Sequence, residues 1–188
     1  GLILIDDNGT PTIENDDMVT YRTEFVDQNK NHILPNQIHT IAQDKNNVIW
    51  IGTDDGILAI PPQVDFTKSN SCIRVIIPRN DGTNLGDYLL DNEQINDIQI
   101  DGANRLWVGT ANSGIFLLEP TMEDVAHPNY YVETVAHFTT ENSILPSDAI
   151  MSIAIQQSTG EVFIGTGGGL VSYMSDAIEP AKNFSDIY

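Results

Sequence analysis

Asn47-Val-Ile-Trp-Ile-Gly-Thr53, Arg105-Leu-Trp-Val-Gly-Thr110 and Glu161-Val-Phe-Ile-Gly-Thr166 are three versions of one phrase. Each follows an Ile-rich run: Gln37-Ile-His-Thr-Ile-Ala-Gln-Asp44, Gln94-Ile-Asn-Asp-Ile-Gln-Ile-Asp101 and Ala149-Ile-Met-Ser-Ile-Ala-Ile155. Each precedes a third run: Gly56-Ile-Leu-Ala-Ile60, Gly114-Ile-Phe-Leu-Leu118 and Gly169-Leu-Val-Ser-Tyr173. From Gly52 to Gly109 is 57 residues and from Gly109 to Gly165 is 56, a period of about 56. Asp44-Lys-Asn-Asn47, Asp101-Gly-Ala-Asn104 and Ser158-Thr-Gly160 separate the first two runs of each copy and read as hairpin turns.

Working outward, a fourth run precedes each copy, at Met18–Asp27, Cys72–Pro78 and Tyr130–Thr139. Four short strands in a repeat of this length, apolar on both faces, suit a β-propeller blade stacked between two others. With the strands lettered a to d from the axis outward, the chain reads c-d, a-b-c-d twice, then a-b-c, with Asn183–Tyr188 starting another strand. The expectation is an all-β chain, a β-propeller fragment of about three and a half four-stranded blades over residues 1–176. The blade repeats fall near 18–61, 72–119 and 130–174, and 177–188 form a linker to a further C-terminal domain. An open stack leaves two apolar faces, so upstream blades are expected to complete the ring.

Composition narrows the function. Eight Lys and Arg against 27 Asp and Glu give a formal charge of −19, which repels nucleic acid. Cys72 is the only cysteine, which excludes an intrachain disulfide and a CxxC site. Apolar stretches such as Leu2–Ile5 are far shorter than the roughly 20 residues of a spanning helix. The start at Gly1 reads as a mature or excised piece, leaving export undecided.

Trp50, Trp107 and Phe163 share one repeat position, which argues for packing between blades rather than a sugar platform. The Gly-Thr pairs and Gly167-Gly-Gly169 lack the helix and lysine of a phosphate loop and read as tight turns. His32, His39, His127 and His137 show no ligand-pair spacing. No cofactor is expected. Ca²⁺ is the alternative, on the oxygens of Asp6-Asp7-Asn8-Gly9, Asp54-Asp55-Gly56 or Asn80-Asp81-Gly82, although none follows the EF-hand pattern. The adjacent carboxylates Asp54 and Asp55, or Glu14, Asp16 and Asp17, come without a nucleophile elbow, so no enzyme is expected. Binding is expected on the loops joining d to a and b to c, with Asn31, Asn36, Asp54, Asp55, Glu93, Asn112, Ser113, Asn142, Ser143, Ser147, Asp148 and Gly167.

The Ile/Leu-Trp-Ile/Val-Gly-Thr…Gly-Ile phrase resembles two-component-regulator propeller repeats. Longer phrases are similar to the second propeller of the PorZ-like surface components of type IX secretion. They are Pro78-Arg-Asn-Asp-Gly-Thr-Asn-Leu-Gly-Asp-Tyr-Leu-Leu90, His137-Phe-Thr-Thr-Glu-Asn-Ser143 and Leu170-Val-Ser-Tyr-Met-Ser-Asp-Ala177. The likeness runs from about Asn31 to Tyr188 and departs at Ile144-Leu-Pro-Ser147 and Phe163. It implies a non-enzymatic role at the cell surface, outer-membrane associated, beside a sortase and an outer-membrane barrel partner, in protein secretion and delivery of anionic lipopolysaccharide. The repeat alone equally suits an extracytoplasmic ligand-sensing propeller of a hybrid two-component regulator, and more weakly a carbohydrate-active enzyme.

Overall fold

Runs of β-branched and aromatic residues cut by Asx and Gly turns fold back on themselves as antiparallel pairs. The computed structural model describes residues 1–12, 14–78, 86–122, 130–176 and 178. Strands β1 (Leu2–Asp6) and β2 (Met18–Arg22) pair first, and β3 (Phe25–Val26) forms a small hairpin with β4 (His32–Ile33). Strands β5 (Ile38–Gln43), β6 (Ile49–Thr53) and β7 (Gly56–Ile60) make a three-stranded sheet in chain order. A second hairpin joins β8 (Ile76–Pro78) to β9 (Gly86–Tyr88). Strands β10 (Ile95–Ile100), β11 (Leu106–Thr110), β12 (Ile115–Met122) and β13 (Tyr130–Phe138) form a complete four-stranded blade. Strands β14 (Ile150–Gln156), β15 (Glu161–Thr166) and β16 (Gly169–Met174) form the last sheet. The fold is a propeller fragment in which β10 packs between β5 and β14.

Two of the expected fourth strands are shorter than their apolar runs. In Cys72–Pro78 only Ile73 pairs with the sheet, exchanging two backbone hydrogen bonds with Ala59 at 2.8 and 2.9 Å. The two residues that follow are taken by other segments: the backbone of Arg74 is bonded by the Gln28 side chain and the carbonyl of Val75 by Leu89. The Arg74 N–H donates to Gln28 Oε1 (3.0 Å) and its carbonyl accepts from Gln28 Nε2 (2.7 Å) on the side away from the sheet, while the carbonyl of Val75, the next residue that would face Ala59's strand, accepts the Leu89 N–H (2.8 Å), so the ladder stops and Ile76–Pro78 turns away to β9. The run Met18–Asp27 likewise divides at Thr23–Glu24 into β2 and β3. Tyr130–Thr139 matches its expectation, with β13 paired along all of β12. Of the segment 177–188 only Ile178 is described, and the proposed strand Asn183–Tyr188 lies outside the described residues.

The core repeats with the chain. Leu2 and Leu4 pack in one cluster with Ile51 and Leu58; Ile57 and Ala59 pack in the next with Val108 and Phe116; Ile115 and Leu117 pack in the third with Ile164 and Val171. Each third strand is thus covered by the following sheet. Trp50 and Trp107 are fully buried in these clusters, Trp107 stacking on Phe138 with centroids 6.3 Å apart.

Three devices hold the repeats. The inner strand bulges at the same place each time, between Ile38 and Thr40, Ile95 and Asp97, and Ile150 and Ser152. Beyond the bulge, Thr40 Oγ1 accepts the Ile98 N–H of the next sheet (3.3 Å), and Asp97 Oδ2 accepts the Ile153 N–H (2.6 Å). The glycine of the Gly-Thr pair makes room for the neighbour: a Cβ on Gly52 would stand 2.7 Å from Ile95 Cγ2, and one on Gly109 2.5 Å from Ile150 Cγ2. Within the repeat, Thr53, Thr110 and Thr166 donate their hydroxyls to the carbonyls of Gly56, Gly114 and Gly169 at 2.8–2.9 Å, closing the turn.

A buried carboxylate serves each tryptophan. Asp44 accepts the N–H groups of Asn46 and Val48 on Oδ1 and the Trp50 indole N–H on Oδ2 (3.1 Å). Asp101 repeats this with Ala103, Arg105 and Trp107 (3.2 Å). In the third copy the Asp position is Gln156 and the Trp position Phe163, so donor and acceptor change together.

Two outcomes are expected. Gly109→Ala should destabilise the fold of this chain by about 2 kcal/mol and Gly165→Ala by less than about 1 kcal/mol, since among the described residues a Cβ on Gly165 meets only Ser152 of its own sheet; urea melts compare them. Asp44→Ala should cost about 3 kcal/mol by stranding buried donors, and about 1 kcal/mol less in a Trp50→Phe background, as read by a double-mutant cycle.

Candidate functional site

The d-to-a connections and the b-to-c turns come together on one face. Backbone hydrogen bonds lock them: Gly56 N–H to Glu93 O (2.8 Å), Ala111 N–H to Gln94 O (2.9 Å), Gly114 N–H to Asp148 O (2.9 Å) and Gly167 N–H to Ala149 O (2.8 Å). A glycine is required at Gly56 and Gly114, where φ is +95° and +76° and a side chain would meet the carbonyls of Leu90 and Phe138.

The expected site residues are all on described segments, but they form three groups rather than one pocket. In the first, Asn36 Nδ2 (2.8 Å) and the Gln37 N–H (3.1 Å) donate to the Asp54 carboxylate, and these bonds hold it below the usual carboxylate range; Asp55 stands exposed beside it. The second is a chain across the middle of the face. Ser113 Oγ donates to Glu93 Oε1 (2.8 Å), the Ser113 carbonyl contacts His137 Nε2 (2.6 Å), and Asn142 Nδ2 donates to the His137 carbonyl (2.9 Å). Its end continues through Ser143, whose hydroxyl donates to Thr139 O, and Asp148, whose carboxylate accepts from Thr140 N and Oγ1. Asn112 is exposed at the tip of its turn. Ser147 Oγ accepts the Ala149 N–H, and Gly167 lies against it.

Asn31 belongs to the third group, which sequence reasoning did not assemble. Asp27 is buried, and burial opposes its ionisation. Hydrogen bonds from the Asn31 side chain and backbone, the Asn29 backbone and the Tyr88 hydroxyl outweigh that and keep its pKa below the ordinary value. Arg74 lies over the Tyr88 ring, 3.9 Å from its centroid, and pairs with Asp91. Asp27 and Tyr88 are 61 residues apart, and no local pattern marks that contact.

The arrangement is polar, acidic and hydrogen-bonded within itself. The hydroxyl of Ser113 bonds to Glu93, and His137 bonds to the Ser113 carbonyl rather than to a hydroxyl, so the cluster is not a nucleophile with its base. The arginines described are already engaged: Arg22 with the carbonyls of Phe66 and Thr67, Arg74 as above, and Arg105 with Asp101 and Asp176 at 2.8 Å each. Among the described residues no three His, Cys, Asp or Glu side chains converge as metal ligands. The oxygens of Asp6 and Asp7 accept the N–H groups of Asn8 and Gly9 within the turn, and Asn80-Asp81-Gly82 and His127 lie outside the described residues. Beside the face, Trp107, Phe138, Ile144, Leu145 and Tyr173 line an apolar concavity that Ser143 also borders.

A family model described as two component regulator propeller matches residues 32–55 and 89–112. No curated protein matches the sequence. Among solved structures, PorZ, a surface component of the type IX secretion system of Porphyromonas gingivalis, is similar at 29% identity and a TM-score of 0.79, covering 98% of this chain. Two extracellular domains from B. thetaiotaomicron are similar at 20% and 18% identity over 90% and 78% of this chain, with TM-scores of 0.37 and 0.34. One is from BT3049, named as a hybrid two component system, and one from BT4673, named as a one component system. The chain spans 23%, 26% and 24% of those three structures, in the same order. The chain carries propeller repeats of the two-component-regulator type and shares the fold of the part of PorZ that it matches.

Proposed function

We propose that the chain is a non-enzymatic binding and scaffold module of a PorZ-like, exported component of a type IX secretion attachment complex at the outer membrane. The observation that carries this reading is the match to PorZ along 98% of the chain at 29% identity. Its part is to present the loop face, from Asp54 through Glu93 and Ser113 to Asp148, to protein partners: a sortase and an outer-membrane barrel protein. A face whose polar groups are already bonded to one another keeps its shape on binding, which suits a scaffold.

Delivery of anionic lipopolysaccharide to the sortase is the proposed task of the whole complex. The charge of −19, and the engagement of Arg22, Arg74 and Arg105 among the described residues, support a reading in which other parts of the assembly make the contact with that glycolipid. The two-component-regulator repeats support a second reading, an extracytoplasmic sensor propeller continuing into a membrane kinase.

Affinity purification of the full-length protein from native envelopes, with mass spectrometry, decides between them. Co-recovery of a sortase and a barrel protein is expected; recovery as one polypeptide with a kinase domain would sink the proposal. Replacing Asp54, Glu93 and Asp148 together by Asn, Gln and Asn, which removes the charge and keeps an acceptor oxygen at each place, should lower partner recovery about tenfold, with a thermal melt of the variant to check that the fold is kept. The chain alone should show no retention on anionic glycolipid vesicles at about 0.15 M salt, and retention there would reassign the contact.

A further inference from the structure

The chain leaves the last sheet against the alternation of its own strand. In β16, Val171 packs with the cluster around Trp107, and the Tyr173 ring lies 5.5 Å from Phe138 and 6.1 Å from Trp107, so this series of side chains faces the preceding blade. Alternation then puts Ser175 on that side and Asp176 on the other. Asp176 does the opposite. The backbone bends there, and its carboxylate accepts from Arg105 Nη2 (2.8 Å), one residue before β11 of the preceding blade.

The same repeat position holds Val48 in the first copy and Glu161 in the third, so of the three copies only the middle one carries this cation. Its side chain is 11% exposed and is aimed by Asp101, which is buried. Asp101 Oδ1 accepts the Arg105 backbone N–H (2.9 Å), and Oδ2 accepts both the Arg105 Nε–H (2.8 Å) and the Trp107 indole N–H (3.2 Å). The Asp176 carboxylate is 83% exposed, and the hydrogen bond from Arg105 holds it below the usual carboxylate range. Ser175 steadies the bend, its hydroxyl donating to Asp176 Oδ1 (3.3 Å) and its N–H to Gly160 O (3.1 Å).

We infer that Arg105 and Asp176 form an ionic strap that draws the outgoing chain back onto the preceding blade and fixes where the polypeptide after the last sheet starts. The strap joins an exposed carboxylate to a cation that Asp101 already neutralises. Opening it therefore strands no buried charge, which makes it a releasable hold rather than a part of the core. Neither residue belongs to the apolar clusters, so the sheets stay packed when it opens. Salt screens the exposed end and frees the chain to swing away. The inference rests on these contacts and is independent of the secretion reading.

The test is a distance measurement in the full-length protein, freed of other accessible cysteines, between spin labels on Ala103→Cys and Ile178→Cys. Both positions are exposed, and Cys72 is buried and stays unlabelled. At about 0.05 M salt one narrow distance is expected; about 0.5 M salt should broaden it and lengthen its mean. Asp176→Ala, or Arg105→Val with the residue of the first copy, should give the broad distribution at either salt. A distribution that ignores both salt and the variants would overturn the strap. A companion measurement needs no labels: an arginine-specific dicarbonyl reagent, with modified sites read by mass spectrometry. Asp176→Ala should speed modification of Arg105 about fivefold at low salt and leave Arg22 unchanged. An unchanged Arg105 rate would overturn the inference, and a parallel rise at Arg22 would do the same by showing a general loosening of the fold.

Discussion

Each sheet in this molecule is apolar on both sides, and none can shed that surface by itself. The stack exists because the third strand of one sheet is covered by the second and third strands of the next, a contact made three times with the same pair of positions. Everything else is arranged to let those sheets approach. Glycine stands where a neighbour's isoleucine enters, the inner strand bulges to aim a side-chain acceptor across the gap, and a threonine closes the turn whose backbone then joins the loop face. The loops inherit their positions from that packing, so the polar face is as regular as the core beneath it.

The architecture was legible because its signal is repetition. Three copies of Trp/Phe-Ile/Val-Gly-Thr at a spacing of about 56 give the strand phase, and phase gives the face each residue occupies. What did not show was where strands stop. The Cys72–Pro78 run is apolar enough to be a strand, but Leu89, 14 residues later, takes the Val75 carbonyl that would have continued the ladder, while Gln28 holds the outer side of Arg74. Two-residue strands such as β3 and β4 are too short to have a period at all.

The loops named from repeat position do meet in space through backbone hydrogen bonds, since a repeat position is also an address on the propeller. Their internal wiring was not readable. The bond from Ser113 to Glu93 follows from two loops meeting, and the third group joins Asp27 to Tyr88, 61 residues further along, with Arg74 over the ring, each unremarkable alone. His137 entered the sequence reading as a histidine without a partner at ligand spacing, yet it links Ser113 to Asn142 through a ring nitrogen and a main-chain carbonyl.

The paired change of Asp to Gln156 and Trp to Phe163 bears on how such proteins diversify. An indole without its carboxylate leaves a buried donor stranded, and a carboxylate without its indole loses one of its reasons to be inside. Recombination that cuts between the two positions produces a mismatched hybrid, while recombination at the outer connections moves a matched set. The unit that can be exchanged, duplicated or transplanted between relatives is therefore the whole inner hairpin. Engineers who shuffle blades to vary the loop face should place their crossovers before the inner strand and after the third, keeping each acceptor with the ring it serves.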